Sequence, residues 1–448
     1  MRLSKHEKHL YIPIELKNRE LDSQVILAGE ACLRGFRVYL GSHAAIYTAL
    51  RTKKFRAGIF LDKGTQVESL TKWIKTKCER VFILDQELSP SLQVSNYLPD
   101  KNLVEKRFYP GTKNLIDGLF CVGPVILESA QEYFKGSKNI YATGWPRMDL
   151  QKRYASVIYS KQIKELKEKH GDFLLFVSDF GLLVPISEIE NPSKLKIYLD
   201  DLPLEFWNRT HHDFEQAIRV LREWDDNPSV PKIIVRPHIM DDIRIWRQKL
   251  QNLVKTQVIH SGDITPWVSA SLGVVHRGST VSIQAALMNK KVYYLAEAAT
   301  SHNRMLVQDI SDFAVGTKEP PTHEFLFRET SKNTRETLSK VMYTYEESAA
   351  VKIVKVLINH EIRHESAITR FKVICNYASP RAIRRFLGLL RDEIMYFIKP
   401  HSNPPQSKSI PKGIRRKDVE VGLLAEEHFS KVKIRKIGIN LWELYIAS

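Results

Sequence analysis

The chain has 448 residues, of which 43% are hydrophobic and 27% are charged, and its formal net charge is +17. This length predicts two globular domains, each able to bury its own core. The four cysteines have no paired spacing, which argues against a disulfide framework or a zinc site and favours a reducing compartment. The start lacks the apolar core of a signal peptide, and no apolar run reaches the length of a membrane span. We therefore expect a cytoplasmic protein.

The positive charge predicts an anionic partner, which can be nucleic acid, a phosphorylated substrate or an anionic membrane surface. The sequence has no zinc-finger spacing, no aromatic strand of the RNA-binding type and no helix-turn-helix punctuation, so we expect no nucleic-acid partner. The membrane surface is favoured because basic residues cluster near the C-terminal end.

Residues 1–150 predict a first doubly wound domain. Apolar strands are expected at 9–14, 37–41, 57–61, 80–84, 118–122 and 139–143, with a helix at 21–34 between the first two. Polar residues follow these strands, and the carboxyl ends of parallel strands are where such sheets bind ligands. Asp85 and Glu87 follow one strand, and Asp62-Lys63 closes another.

Residues 151–170 predict a solvated linker helix, and residues 171–345 predict a second domain of the same type. Its first strand runs into Asp179, and a long amphipathic helix covers 206–224. The adjacent His211 and His212 near the start of that helix point to different faces, so no metal site is expected there.

The stretch from 231 to 297 carries the strongest functional signal. A strand at 232–235 runs into Arg236-Pro237-His238, and a strand at 273–276 runs into Arg277-Gly278-Ser279-Thr280 and a helix at 281–289. Strand, loop, helix and strand in this order predict a parallel sheet covered by helices. Arg and His groups beside a helix start predict a phosphate site at the strand ends. The alternative is an ordinary strand-to-helix turn with a serine cap.

These motifs resemble the carboxyl-terminal half of the surface carbohydrate biosynthesis proteins. That family is similar to GT-B glycosyltransferases that use CMP-activated ulosonic acids and, more distantly, to CDP-glycerol glycerophosphotransferases. The resemblance extends over residues 9–300 through the stretches 13–22, 61–63 and 143–149. Five positions depart from the family pattern: Asp179, Ile239, Gln284, Asn289 and Lys291. Gln284 replaces a glutamate that often contacts the nucleotide ribose in the family.

The resemblance implies an α/β protein of GT-B architecture, with two doubly wound Rossmann-like domains, an interdomain cleft, C-terminal helices and a basic tail. One of two late helices, predicted at 342–357 and 367–376, is expected to return to the first domain. The implied activity is glycosyl transfer from a nucleotide-activated donor to a lipid-linked or growing surface glycan, with a CMP-activated Kdo-like or nonulosonic acid as the preferred donor.

The chemistry assigns candidate residues to three tasks. The phosphate and nucleotide site is expected to contain Arg236, His238, His276, Arg277, Gly278, Ser279, Thr280 and Gln284. His238 can also protonate the leaving phosphate, since histidine exchanges protons near neutral pH. The carboxylate that activates the acceptor or acts as nucleophile is expected among Asp85, Glu87, Asp179 and Glu15.

The donor sugar or acceptor is expected to contact residues at the first-domain strand ends: Glu15, Lys17, Arg19, Glu20, Asp62 and Lys63. No Asp-x-Asp motif stands at a strand end, so we expect a metal-independent enzyme with no cofactor. Two alternatives remain open, which are transfer of a glycerol or ribitol phosphate from a CDP donor and a catalytically idle assembly or export factor.

The C-terminal part predicts helices within 346–400 and a basic linker within 401–417. The helix at 381–398 is amphipathic and either docks on a core or lies on a membrane. The linker is rich in proline, lysine and arginine and suits an anionic lipid surface. The last thirty residues carry no motif and are expected to form a small appendage.

Overall fold

The computed structural model describes residues 8–52, 58–86, 103–136, 138–180, 204–238, 241–260, 262–297, 306–329, 334–360 and 413–447. The predictions for Glu87, Ile239, the helices at 367–376 and 381–398 and most of the basic linker lie outside these residues. Among the described residues, no helix combines the length and the apolar character that crossing a bilayer requires.

The described residues divide into two compact units, one formed by those up to 158 together with those from 339 onward, and the other by those from 159 to 338. The division differs from the predicted boundaries, because it falls inside the predicted linker, after residue 158, and because the described C-terminal residues belong to the first unit. Both units are built on parallel sheets, which confirms the predicted α/β class.

The first unit contains an eight-stranded sheet in which six parallel strands follow the order β2-β1-β3-β4-β5-β6. These strands are β1 (Lys8–Ile14), β2 (Phe36–Ser42), β3 (Ile59–Asp62), β4 (Arg80–Leu84), β5 (Gly118–Cys121) and β6 (Asn139–Ala142). The order reverses between β1 and β3, which is the position where doubly wound sheets open a crevice for ligands.

The helices of the first half of the chain alternate with these strands. They are α1 (Lys17–Leu33), α2 (His43–Thr52), α3 (Glu68–Lys75), α4 (Leu103–Arg107), α5 (Pro124–Phe134) and α6 (Pro146–Asp149), followed by a π-helix (Leu150–Tyr154) and α7 (Ala155–Ile158). Helix α1 is buried over most of its length because it is covered on several sides.

The second unit contains six parallel strands in the order β12-β11-β10-β7-β8-β9. They are β7 (Phe173–Val177), β8 (Lys232–Arg236), β9 (Thr256–Val258), β10 (Gly273–His276), β11 (Lys291–Leu295) and β12 (Phe313–Val315). Counted from β7, this is the 3-2-1-4-5-6 arrangement of dinucleotide-binding sheets, read from the other edge. The order reverses between β7 and β10.

Two hydrophobic layers hold the helices of the second unit against its sheet. The helices are α8 (Ser160–His170), α9 (Leu204–Asp226), α10 (Ile243–Lys249), α11 (Ile264–Ala270), α12 (Val281–Leu287), α13 (Leu306–Asp309), α14 (His323–Leu326) and α15 (Thr334–Ser339), which ends at the boundary between the units. Phe214, Trp224 and Trp246 pack on one face of the sheet, and Trp267 and Val268 pack on the other. Alternate strand residues therefore face opposite layers, as a doubly covered parallel sheet requires.

A late helix, α16 (Ala349–Ile358), packs against α1 and α6 of the first unit. Ser348 caps it by accepting a hydrogen bond from the Val351 amide at 3.2 Å, and the Asp149 carboxylate accepts a hydrogen bond from the Ala349 amide. One of the two late helices predicted from the sequence thus belongs to the first unit, although it begins seven residues later than predicted.

The last thirty residues are an integral part of the first unit rather than an appendage. They form α17 (Arg416–Leu423), a 3₁₀ helix (Glu427–Lys431) and a hairpin of β13 (Val432–Gly438) and β14 (Leu441–Ile446). Strand β14 pairs antiparallel with β2 and extends the sheet. The approach is close, because a Cβ on Gly41 would lie 2.4 Å from the Asn440 carbonyl oxygen.

Candidate active site

The carboxyl ends of β8, β7 and β10 lie side by side at one edge of the second sheet. Val177 pairs in register with Arg236 on one side and with His276 on the other. The two strand-end motifs predicted from the sequence therefore lie about 10 Å apart, two strand spacings, at the same edge. The two strand ends thus share one edge of the sheet, and the directions of the individual side chains decide what each residue can contact.

Arg277 is held between two carboxylates on the face of the sheet that α9 covers. Its guanidinium pairs with Asp213 of α9, and its Nε lies 3.4 Å from Asp179 Oδ1. The guanidinium also stacks on the Phe180 ring, with its central carbon 4.8 Å from the ring centroid. Burial raises the pKa of Asp179, although Arg277 pulls it down. The result is a rigid, partly neutralised cation at the point where the strand order reverses.

Asp241 anchors the loop that carries His238. Its Oδ2 accepts hydrogen bonds from Ser178 Oγ at 2.5 Å, from Trp246 Nε1 at 3.1 Å and from the His238 backbone amide at 3.2 Å. The His238 side chain is exposed above this buried carboxylate. The loop is thereby fixed while its imidazole remains accessible to a ligand at the strand ends.

Arg236 points into the protein on the face covered by α11. Its Nη2 donates a hydrogen bond of 2.8 Å to the Gly262 carbonyl oxygen, and the guanidinium lies 5.2 Å from the centroid of the Trp267 ring. Burial lowers the pKa of Arg236 to about 10, and Asp263 counteracts that effect. His260, just beyond β9, is near enough for Arg236 to add to the lowering of its pKa that burial causes. Arg236 thus ties the end of β8 to the loop that contains Gly262. Its direct contact with a phosphate remains a prediction.

His276 does not face an open site, which corrects the sequence-based expectation that it binds phosphate. Its side chain is fully buried, and Nε2 lies 2.9 Å from Ser311 Oγ. Ser311 Oγ itself donates to the Val307 carbonyl at 2.7 Å, so Nε2 carries the proton and donates. Burial lowers the pKa of His276 to about 3, which keeps the imidazole neutral. The residue supports the loop and supplies no charge.

The turn from β10 into α12 places small polar groups at the sheet edge. Gly278 and Ser279 are buried, Thr280 is exposed, and Ser279 Oγ accepts a 3.3 Å hydrogen bond from the Val281 amide. Gln284 is buried on α12, and its Oε1 has no hydrogen-bond partner among the residues that the structure describes. These four residues remain predicted contacts of a nucleotide.

The first unit gathers a second polar cluster where its strand order reverses, between β1 and β3. Lys63 forms ion pairs with Glu15 and with Glu20, the latter at 3.2 Å. Glu20 also fixes the loop, because its Oε2 accepts a 2.8 Å hydrogen bond from the Glu15 amide. His43, the first residue of α2, lies 3.0 Å from Asp62. The structure thus brings together Glu15, Glu20, Asp62 and Lys63, which the sequence predicts as sugar or acceptor contacts.

Two other predicted residues, Lys17 and Asp85, are engaged elsewhere. Lys17 Nζ is 2.6 Å from Asp418 Oδ2 and 3.1 Å from the Gly413 carbonyl, so it binds the C-terminal segment. Arg107 clamps Asp85 with two hydrogen bonds of 2.6 and 2.8 Å, so this buried carboxylate already has a counter-ion and is a poor candidate for the acceptor base. Arg19 is half-buried on the first turn of α1.

Four site residues were missed from the sequence: His43, Arg107, Asp213 and Asp241. A usable signal existed for His43, which lies two residues after the strand predicted at 37–41. Asp213 and Arg107 lie on helices far along the chain from the groups they bind, and nothing local marks them. Across the described ranges, no group of three or more His, Cys, Asp or Glu side chains is arranged to hold a metal ion.

No protein-family model matches the sequence, and no curated protein matches it. The solved structures that are similar in fold include the following three. The UDP-GlcNAc 2-epimerase from Methanocaldococcus jannaschii is 10% identical, with a TM-score of 0.44, and the match covers 79% of this chain and 100% of that one. The wall teichoic acid polymerase TagF is 11% identical, with a TM-score of 0.49, over 79% and 88%. MnaA from S. aureus with UDP is 10% identical, with a TM-score of 0.37, over 88% and 97%. Likenesses of this size say nothing about the reaction.

Proposed function

We propose that this chain is a glycosyltransferase of surface polysaccharide biosynthesis that uses a nucleotide-activated sugar and needs no metal. One observation carries the proposal: the strand order of the second sheet reverses between β7 and β10, and the polar groups of Asp179, Arg277 and Ser279 lie at that point. Sheets of this order bind nucleotides at this position. The resemblance of the two strand-end motifs to surface carbohydrate proteins supports the same class.

The chain's own groups suit the departure of a nucleotide phosphate. In the transfer, the bond between the anomeric carbon and the phosphate oxygen breaks, and its electron pair leaves with the nucleotide. Arg277, fixed by Asp179 and Asp213, is a preorganised donor for the charge that develops on that oxygen. The exposed imidazole of His238 can supply a proton to the same phosphate. Because Arg277 is already partly neutralised, His238 and the backbone amides of the β10–α12 turn share the task.

The finer assignments follow from the resemblance. The preferred donor is a CMP-activated Kdo-like or nonulosonic acid, and the acceptor is a lipid-linked or growing glycan. We also propose that the protein works on the inner face of the cytoplasmic membrane as a peripheral protein, held there by its basic C-terminal segment. The alternatives are transfer of a polyol phosphate from a CDP donor and a catalytically idle assembly factor.

A donor screen separates these functions. The full chain is incubated with CMP-, CDP- and UDP-activated donors and a glycan acceptor, and both nucleotide release and product mass are recorded. A product that gains a sugar supports the proposal, whereas a product that gains phosphate as well indicates the polyol-phosphate reaction. Donor binding without turnover by any donor would favour the idle factor.

His238→Ala is expected to raise the activation free energy by about 3 kcal/mol, which lowers turnover of the correct sugar donor roughly a hundredfold. The reason is that the leaving phosphate loses one preorganised hydrogen-bond donor. Single-turnover kinetics and the melting temperature are measured together. The matched control is His212→Ala, another exposed histidine of the second unit, which lies on α9. Near-full turnover by His238→Ala would contradict the role of this loop in phosphate binding.

A further inference from the structure

The reversal point of the first sheet holds a histidine, His43, that is not among the site residues predicted from the sequence. In the order β2-β1-β3, the strands β2 and β3 flank β1, so their carboxyl ends meet over one edge. His43 follows β2 directly, and Asp62 is the last residue of β3. The imidazole Nε2 lies 3.0 and 3.2 Å from the two carboxylate oxygens of Asp62. The pair is thus built by the ends of the two strands that flank β1.

Asp62 is fixed as a hydrogen-bond acceptor. Its side chain is 2% exposed, and it also accepts hydrogen bonds from the Lys63 amide at 2.8 Å and from Gln66 Nε2 at 3.0 Å. A carboxylate that accepts hydrogen bonds from this many donors keeps its orientation. Nε2 of His43 therefore carries a proton and donates it to Asp62, which leaves Nδ1 with the lone pair when the ring is neutral.

The ring of His43 is held while its second nitrogen stays accessible. It packs against Tyr47, with the ring centroids 5.7 Å apart, and Tyr47 packs in turn on Phe60 and Trp73. The His43 side chain is 20% exposed. Within the described part of the chain, Nδ1 makes no hydrogen bond and is not among the fully buried polar atoms. A fixed imidazole with one nitrogen on a carboxylate and the other accessible is the arrangement of a general base.

We propose that His43, oriented by Asp62, is the base that takes the proton of the acceptor hydroxyl; this inference rests on the proposed glycosyltransferase function. Nδ1 accepts the hydroxyl proton as the acceptor oxygen forms its bond to the anomeric carbon. The bond from that carbon to the phosphate oxygen breaks, and the nucleotide leaves with the electron pair. The imidazolium then returns its proton to solvent. Asp62 is a positioning residue that holds the ring and offsets its charge.

The surrounding charges set the pH behaviour of this base. The groups that face His43 are Asp62, Glu15 and Glu20, with Lys63 bridging the two glutamates. Burial lowers the pKa of His43, but the three carboxylates together outweigh burial and raise it above the usual value. The base is neutral above its pKa, so the rate is expected to rise with pH through that value. Removing the charge of Asp62 moves this rise to lower pH.

The experiment measures transfer by the full chain as a function of pH with saturating donor, together with donor affinity and melting temperature. His43→Gln is expected to lower kcat by about a hundredfold or more and to leave donor affinity unchanged, since a positioned base contributes on the order of 10²–10⁴. Asp62→Asn is expected to lower kcat less and to shift the acidic limb of the pH profile to lower pH. The matched control is His428→Gln, because His428 also lies beside a carboxylate of this unit, 3.5 Å from Glu30. It is expected to keep the wild-type rate and profile.

The outcomes separate this inference from the function on which it rests. Near-wild-type kcat with an unchanged acidic limb in His43→Gln would overturn the role of His43 while leaving the glycosyltransferase intact. A wild-type chain that consumes none of the donors would overturn the glycosyltransferase itself. If His43→Gln fails to fold, the pH profile of Asp62→Asn decides, since a purely structural ion pair would lower stability without moving the limb.

Discussion

At the scale of single residues, Arg277 matters for stability as well as for binding. It offsets two carboxylates, and the side chain of Asp213 is only 3% exposed. Removing one member of a buried ion pair leaves an uncompensated charge, which costs more than the pair itself contributes. Sequence reasoning assigns Arg277 to phosphate binding alone, since its partner on α9 is 64 residues away.

Arg277→Ala is expected to lower the free energy of unfolding by about 3 kcal/mol, because the buried Asp213 loses its guanidinium partner. Urea unfolding followed by tryptophan fluorescence measures the change. The control is Arg219→Ala on α9, the helix that also carries Asp213. Arg219 pairs with Glu223, and both side chains are about half exposed. Its effect is expected within about 0.5 kcal/mol. Equal effects of the two substitutions would contradict the structural role of Arg277.

The burial of His276 leads us to expect that acid lowers the free energy of unfolding. Its pKa is about 3 in the folded chain, against about 6.5 for an ordinary histidine. Between pH ~6.5 and pH ~3 this histidine is protonated in the unfolded chain but neutral in the folded chain. Its effect on the free energy of unfolding is therefore absent above pH ~6.5, and within this window the free energy of unfolding falls as the pH decreases. His276→Asn should lessen that fall by about 1.4 kcal/mol per pH unit.

The measurement is the free energy of unfolding of wild type and His276→Asn at several values between about pH 6 and 4. Only the slope with pH is compared, because losing the bond to Ser311 also changes stability at every pH. His212→Asn, at an exposed position, is the control and should keep the wild-type slope. Parallel slopes for wild type and His276→Asn would show that the buried imidazole does titrate in the folded state.

At the scale of elements, the C-terminal hairpin makes the end of the chain part of the core of the first unit. Its inner face is buried: Trp442 is 4% exposed and donates a 2.8 Å hydrogen bond to the Ile414 carbonyl, and Arg37 donates a 2.9 Å hydrogen bond to the buried Glu443. Phe429 packs on α1 at Gly29. Deleting residues 401–448 would therefore expose β2 and α1, and we expect this truncation to destabilise the first unit.

Trp442→Ala is expected to destabilise the protein by about 3 kcal/mol or more, because it removes a buried aromatic ring and leaves a cavity. The loss should appear as a lower melting temperature and as faster hydrogen exchange in β2 and β14. Leu424→Ala in the same segment is the control, since Leu424 is 60% exposed, and it is expected to change stability by less than about 0.5 kcal/mol. A small effect of Trp442→Ala would mean that the hairpin is not part of the cooperative core.

At the scale of the whole molecule, the net charge of +17 makes binding to anionic membranes testable without truncation. The C-terminal segment exposes Lys417, Lys431 and Lys433. Replacing these three by glutamate is expected to weaken binding to vesicles with anionic lipid by at least about 3 kcal/mol, a hundredfold or more, at low salt. Co-sedimentation with the vesicles measures this change, and turnover of a soluble acceptor should persist.

The control for that experiment replaces three exposed lysines of α8, Lys161, Lys164 and Lys167, by glutamate. It makes the same change in net charge at another place on the chain. If both triple variants lose vesicle binding equally, net charge alone and not the C-terminal segment drives the interaction. Binding that does not weaken with added salt would exclude an electrostatic origin.

The sequence by itself determined the α/β class, the positions of most strands and the two motifs at the ends of β8 and β10. These features are local: an apolar run of strand length, a polar residue where it stops and a helix start a few residues later are all readable within one stretch. Because parallel strands end at a common edge, the sequence also placed Arg236 and His276 in one neighbourhood.

Only the tertiary structure decided what those side chains contact. The direction of a side chain depends on strand register and on the helix that covers each face, so His276 is buried beside Ser311 while Arg277 reaches Asp213. The pairing of His43 with Asp62, the clamp of Arg107 on Asp85 and the hairpin on β2 join parts of the chain separated by 19, 22 and several hundred residues. Such contacts depend on strand order, which no local pattern encodes.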